Sequence, residues 1–164
     1  MTPFGVGLSS ASRRLKGVVF DDNGPPRGPS SSTIGQNQGL VLKNKLRALV
    51  VDDNRITRSA HTTLLRNLGV ETLEVENGRR AIDICLDGKD FDIIIMEMKV
   101  PVLDGHLATR LIRAMGIPTK ILGVHANSRR RETFMAAGID AFYVKPISHI
   151  DLIPIIREID NDKI

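Results

Sequence analysis

Acidic residues and one lysine stand just beyond short apolar runs in this chain. Leu46 to Val51 leads into Asp52-Asp53, Phe91 to Met96 ends at Glu97, and Phe142 to Val144 ends at Lys145-Pro146. Pro101 and Asp104-Gly105 follow Glu97 closely. Carboxylates gathered at one place repel one another, and a cation relieves that repulsion. Mg²⁺ takes oxygen ligands, so a pocket holding Asp52, Asp53 and Glu97 against Lys145 has the chemistry to bind it weakly.

Those residues need a frame to bring them together. Leu46 to Val51 is too short and β-rich for a helix and ends at charges, which predicts a buried parallel strand. Arg55 to Leu68 places Ile56, Ala60, Leu64 and Leu68 near one helical face, leaves His61 exposed, and stops at Gly69. Val70 to Val75 reads as the next strand, and Asn77-Gly78 turns into a helix over Arg80 to Leu86. Phe91 to Met96 is the most hydrophobic run and so the central strand. Gly105 to Met115 is helical, with Leu107, Leu111, Ile112 and Met115 at helical spacing before Gly116 and Pro118. Then come a strand over Lys120 to Val124, a helix over Arg129 to Ala137, a strand over Ala141 to Val144 and a helix over Ile150 to Ile159. Pro154 weakens the case for an unbroken final helix.

Strands alternating with helices predict an α/β fold: a flavodoxin-like, doubly wound, five-stranded parallel sheet of order 2-1-3-4-5 with five helices. In that order the ligand crevice lies outside the carboxyl ends of strands one and three. Asp52, Asp53 and Glu97 fall at those ends. Taken singly, an Asp-Asp pair is a solvated helix cap, Lys145-Pro146 a turn and Asp104-Gly105 the start of a helix. Their convergence on one sheet edge favours a site.

Composition narrows the function classes. Residues 1–44 are rich in Gly, Ser and Pro and read as a disordered extension. The folded part spans residues 45–160, with a short tail over 161–164. The extension holds five basic residues against two acidic ones, which leaves the rest of the +4 chain near neutrality. With few aromatic residues as well, nucleic-acid binding is a poor fit. No apolar run reaches transmembrane length, so no membrane partner is expected. Met1 to Phe20 lacks acids, as transit peptides do, but shows no clear amphipathic face and reads as plain extension. Cys85, the single cysteine, reads as a small buried hydrophobe and excludes an internal disulfide framework. Gly5-Val6-Gly7 lacks the spacing of a nucleotide loop. Arg129-Arg130-Arg131 reads as a solvated face.

The chain resembles receiver domains, the phosphoryl-accepting modules of two-component signalling, over about residues 45 to 160. The matching stretches are Val50-Val51-Asp52-Asp53-Asn54, Glu76-Asn77-Gly78, Glu97 to Gly105, Ala137-Gly138-Ile139-Asp140 and Val144-Lys145-Pro146. Arg55-Ile56-Thr57-Arg58, Leu68-Gly69-Val70-Glu71-Thr72 and Arg113-Ala114-Met115-Gly116 are similar to the small stand-alone type-C response regulators of plants. The resemblance implies a Mg²⁺-dependent relay, of the kind used in cytokinin signalling, from a phosphohistidine to a central aspartate. Asp52, Asp53, the central acid and the backbone carbonyl of Lys99 match the metal ligands, and Lys145 matches the residue facing the phosphoryl oxygens. Ile56, Arg58, Ser59 and Pro146 match the surface that meets a histidine-phosphotransfer protein or sensor kinase.

Two positions depart from that pattern. Glu97 stands where the family has its phosphoryl-accepting aspartate. Its extra methylene displaces the carboxylate, and a misplacement of about an ångström costs roughly a hundredfold in rate. The longer side chain can instead reach Lys145 or the metal, partly imitating a phosphorylated aspartate with fewer oxygens and less charge. His125 stands where receivers carry Thr or Ser, and it fills the pocket edge or makes a pH-sensitive contact. Phe142 matches the aromatic that follows the missing hydroxyl. The expected function is that of a non-enzymatic, monomeric, cytoplasmic or nuclear pseudo-receiver with no output domain, acting by contact. The alternatives are a phosphoryl acceptor that still works, or a phosphohistidine phosphatase-like sink. A metal-dependent hydrolase on a similar sheet fits poorly without an aspartate nucleophile.

Overall fold

Alternating residues of the strands point into two separate cores. The computed structural model describes residues 40–163. Its elements are β1 (Arg47–Val51), α1 (Arg55–Asn67), β2 (Glu71–Val75), α2 (Gly78–Leu86), β3 (Ile93–Glu97), α3 (Gly105–Ala114), β4 (Lys120–His125), α4 (Arg131–Ala137), β5 (Ala141–Val144) and α5 (His149–Asp162). All sheet pairs are parallel, in the order β2-β1-β3-β4-β5. This is the expected flavodoxin-like arrangement.

On one face Leu49, Val51, Leu73, Ile94, Met96 and Ile121 pack with side chains from α2, α3 and α4. On the other, Ala48, Val50, Ile93, Ile95, Leu122 and Val124 meet Leu65 and Leu68 of the α1 region and Leu152, Ile156 and Ile159 of α5. β3 is buried along its whole length, as a central strand covered on both faces must be. Cys85 is buried in the first core, as expected, and burial pushes its thiol pKa up to about 11.

Several local expectations need correction. The buried stripe of α1 is His61, Thr62 and Leu65, whereas Ile56 and Ala60 face solvent. His61 is only 1 % exposed. The helix follows the i, i+4, i+7 line of His61, Leu65 and Leu68, which carries its two most buried leucines. α5 runs unbroken through Pro154. That proline is exposed, so the carbonyl left without an amide partner faces water, while the Leu152–Ile156–Ile159 stripe holds the helix to the sheet. α4 begins only at Arg131, and Arg129 to Arg131 are all exposed.

The folded part also extends beyond residues 45–160 at both ends. Leu40 is buried and Leu42 packs on the second core. The Asp160 carboxylate accepts the backbone N–H groups of Lys43 at 2.7 Å and Asn44 at 2.9 Å, and the Asn44 side-chain amide at 2.8 Å. Hydrogen bonding from Lys43 leads the causes that hold the Asp160 pKa below its ordinary value. At the other end Lys163 pairs with Asp92 at 2.8 Å. The expected extension over residues 1–39 lies outside the described residues.

Candidate functional site

Strand register brings the candidate residues to one edge. Val51 pairs with Met96, so Asp52 comes level with Glu97, the last residue of β3. Glu97 stands opposite Val124, with His125 next on β4. His125 pairs with Val144, and Lys145 follows. Asp52 and Glu97 are 1 % and 3 % exposed, so their charges require partners.

Those partners come from within the chain. Lys145 Nζ lies 2.9 Å from Asp52 Oδ2 and 2.6 Å from Glu97 Oε1. Glu97 Oε2 accepts the N–H of Lys99 at 2.7 Å and stands 2.7 Å from His125 Nδ1. A carboxylate oxygen only accepts, so His125 carries a hydrogen on Nδ1. Asp52 Oδ1 accepts the N–H of Asn54 at 2.9 Å. Burial opposes the Lys145 charge, but the hydrogen bonds it donates to Glu97 and Asp52 outweigh it and raise the lysine pKa above its ordinary value.

The loop from Met98 to Asp104 is pinned tightly. Leu103 N–H donates to the Pro101 carbonyl at 2.7 Å across Val102, whose φ is 68°. This is a γ-turn on the positive-φ side, a strained conformation for a β-branched residue. A Cβ on Gly105 would collide with the Glu97 carbonyl, and one on Gly78 with the Leu103 carbonyl. The two glycines let the loop close against the end of β3 and the start of α2.

The structure therefore gathers Asp52, Glu97, His125, Lys145 and the Lys99 backbone, but not the full expected set. Lys99 donates its backbone N–H to Glu97 Oε2 at 2.7 Å. Asp53 is exposed and shares a shallow cleft with Lys99, Pro101, Val102 and Asp104. Among the described residues, no group of three or more His, Cys, Asp and Glu side chains could hold a metal ion. Both Glu97 oxygens and Asp52 Oδ2 already accept hydrogen bonds. A cation entering here meets carboxylates already bonded within the chain, Asp52 and Glu97 by Lys145 and Glu97 also by His125 and the Lys99 N–H.

The other expected residues divide. Phe142 is half-buried and meets the buried Phe134 edge-on, with ring centroids 6.3 Å apart and planes at 69°. Ile56, 82 % exposed, lines a shallow groove with Asp53, Ser59, Ala60 and Thr63. Pro146, after a cis peptide bond from Lys145, is also exposed. Arg58 turns away from that groove. Its Nε donates to Glu74 Oε1 at 2.9 Å and its guanidinium to the Asp52 carbonyl at 2.8 Å.

His61 belongs to the site's floor. Its Nε2 stands 3.4 Å from the Ile147 N–H, just past the Lys145 loop. Burial leads the causes that lower its pKa, the Asp52 charge opposing and the Lys145 charge adding to the shift. The signal in the sequence was its place on the Leu65–Leu68 stripe.

Residues 48–157 match the response regulator receiver domain family. Two-component response regulator 24 of Arabidopsis thaliana is 38 % identical over 122 residues, covering 73 % of this chain and 88 % of that protein. The receiver domain of sensor histidine kinase PA1611 from Pseudomonas aeruginosa, solved with a magnesium ion in its active-site cleft, superposes with a TM-score of 0.65. It is 30 % identical and covers 72 % of this chain and 99 % of its own. The Saccharomyces cerevisiae Ssk1 receiver domain, solved with the phosphotransfer protein Ypd1, shares the fold with a TM-score of 0.65 at 23 % identity, over 74 % of this chain and 92 % of its own. The chain belongs to the response regulator receiver domain family.

Proposed function

We propose that this protein is a pseudo-receiver, a phosphorelay component that acts by protein contact without accepting a phosphoryl group. One observation carries the reading: both Glu97 oxygens are engaged, Oε1 by Lys145 and Oε2 by Lys99 N–H and His125. A nucleophilic oxygen needs a free lone pair in line with the phosphorus, and near-attack geometry is where most of the rate lies. Here both lone-pair directions of Oε2 are taken and Oε1 is held in place by Lys145. The tether satisfies the buried carboxylate in the way a bound cation otherwise would.

The partner in this reading is a histidine-phosphotransfer protein, and the surface offered is the α1 groove with Ile56 and Ser59, flanked by Pro146. An exposed isoleucine beside an apolar groove favours helix docking. Arg58 is left out of that surface because it is tied to Glu74. Magnesium enters as a weak competitor of Lys145.

The test is transfer of label from a phosphohistidine donor, comparing wild type with Glu97→Asp and with Glu97→Asp combined with His125→Thr. Wild type takes up little label, the single variant gains some, and the double variant holds it longest. Partner binding by unmodified wild type persists throughout. Efficient labelling of wild type on Glu97 would overturn the reading in favour of a working acceptor.

A further inference from the structure

Three donors close on the Glu97 carboxylate, and they are not equivalent. Lys99 contributes a backbone N–H, fixed by the pinned loop. Lys145 is shared with Asp52 and sits directly after β5. Among the described residues, the His125 side chain engages Glu97 alone, at 2.7 Å, and is 16 % exposed against 5 % for Glu97. A carboxylate oxygen has two lone-pair directions, and those of Oε2 are both used, by Lys99 and by His125.

We infer that His125 is a positioning residue that holds Glu97 shut against divalent cations, so that the pocket carries its neutralising groups within the chain. A metal bridging Asp52 and Glu97 Oε1 pushes against the Lys145 ammonium held there, and one that takes Glu97 through Oε2 has to displace the His125 N–H. Displacing Lys145 leaves an ammonium unpaired beside the site, and displacing His125 leaves a half-buried N–H without a partner. Each costs desolvation that a water-exposed set of carboxylates does not impose. Asp53 is exposed and lines the neighbouring cleft with Lys99 and Asp104. The selectivity against metal thus rests on the combination of a long acid at position 97 and an imidazole at 125. Glutamate supplies the reach, and histidine supplies the donor that meets it.

This inference deepens the pocket reading above but does not depend on whether Glu97 can be phosphorylated. Calorimetric titration of the full chain with MgCl₂, after removal of trace metal, tests it. His125→Ala frees one lone pair of Glu97 and raises Mg²⁺ affinity by about tenfold or more, the worth of one charge-assisted hydrogen bond. His125→Asn returns an N–H donor at the same distance along the side chain and restores the wild-type titration. Equal Mg²⁺ affinity in wild type and His125→Ala, including no binding by either, overturns the inference, as does an equal gain in His125→Asn. If His125→Ala does not fold, Glu97→Asp serves in its place. It shortens the acid out of reach of His125, so it gains Mg²⁺ affinity if the inference holds and leaves it unchanged if it does not. Failure of Glu97→Asp to accept phosphate, with the gain in metal binding intact, counts against the phosphotransfer reading alone.

Discussion

Glu97 Oε2 and His125 Nδ1 are 2.7 Å apart, joining the two positions at which this chain departs from the receiver pattern. Each substitution alone would leave a defect: a long buried acid with one lone-pair direction of Oε2 unfilled, or an imidazole crowding the pocket edge. Together they satisfy each other. Coupling between them is measurable by a double-mutant cycle with Glu97→Ala and His125→Ala in urea unfolding. We expect an interaction energy of about 1–3 kcal/mol, the range for a hydrogen bond to a charged group in contact. Additive single effects would show that the contact does not form in solution.

Arg58 gives a second case in which geometry assigns a structural role to a residue expected at the surface. Its guanidinium joins Glu74 on β2 to the Asp52 carbonyl, and its side chain is 17 % exposed. Arg58→Ala should cost about 1–3 kcal/mol, because it leaves a part-buried acceptor unsatisfied. Arg58→Lys should restore little, since an ammonium cannot span both acceptors as the planar guanidinium does. A loss below about 0.5 kcal/mol, the level of an exposed pair, would return Arg58 to the solvent face.

The sheet and its crevice were legible because strand burial is written locally: Leu46 to Val51 and Phe91 to Met96 are continuous apolar runs that end in charge. The occupants of the crevice were legible too, since strand ends fix where Asp52, Glu97, His125 and Lys145 emerge. Their bonding was not. Which donor meets Glu97 depends on three segments whose separation in space appears in no local pattern. His61 was misread for a related reason. A histidine among leucines registers as polar, yet the stripe with Leu65 and Leu68 decides the buried face. The strap at residues 40–44 was invisible because its partner, Asp160, lies 116 residues away from Asn44.

That strap makes the boundary of the domain testable. A chain starting at Leu40 should retain the stability of the full-length protein. A chain starting at Lys45 loses the buried Leu40 side chain, worth about 1.5–3 kcal/mol, together with the backbone donors of Asp160. Its melting temperature should fall by several degrees. Equal melting of the two truncated chains would show that residues 40–44 add nothing to the fold.

His61 should impose a pH dependence on stability. In the folded state Nε2 faces the Ile147 N–H and acts as acceptor, so the neutral ring keeps its hydrogen on Nδ1, which has no hydrogen-bond partner among the described residues. Protonation would set two donors against each other in a buried place. Burial and this clash both favour the neutral form, and the folded pKa is lowered. In the unfolded chain the ring titrates near its ordinary value of about 6.5. The unfolded state therefore binds the proton first as pH falls. Stability is full above about 6.5, declines through the interval down to the folded pKa, and has lost the whole contribution below it, with a slope of at most about 1.4 kcal/mol per pH unit. His61→Gln keeps an acceptor for Ile147 and removes the titration. Urea unfolding of both proteins from pH 7.5 downward should give curves that converge as the wild type loses its advantage. His106, whose pKa burial also lowers, is present in both proteins and cancels in the difference. Parallel curves would show that His61 takes up its proton without disturbing the Lys145 loop.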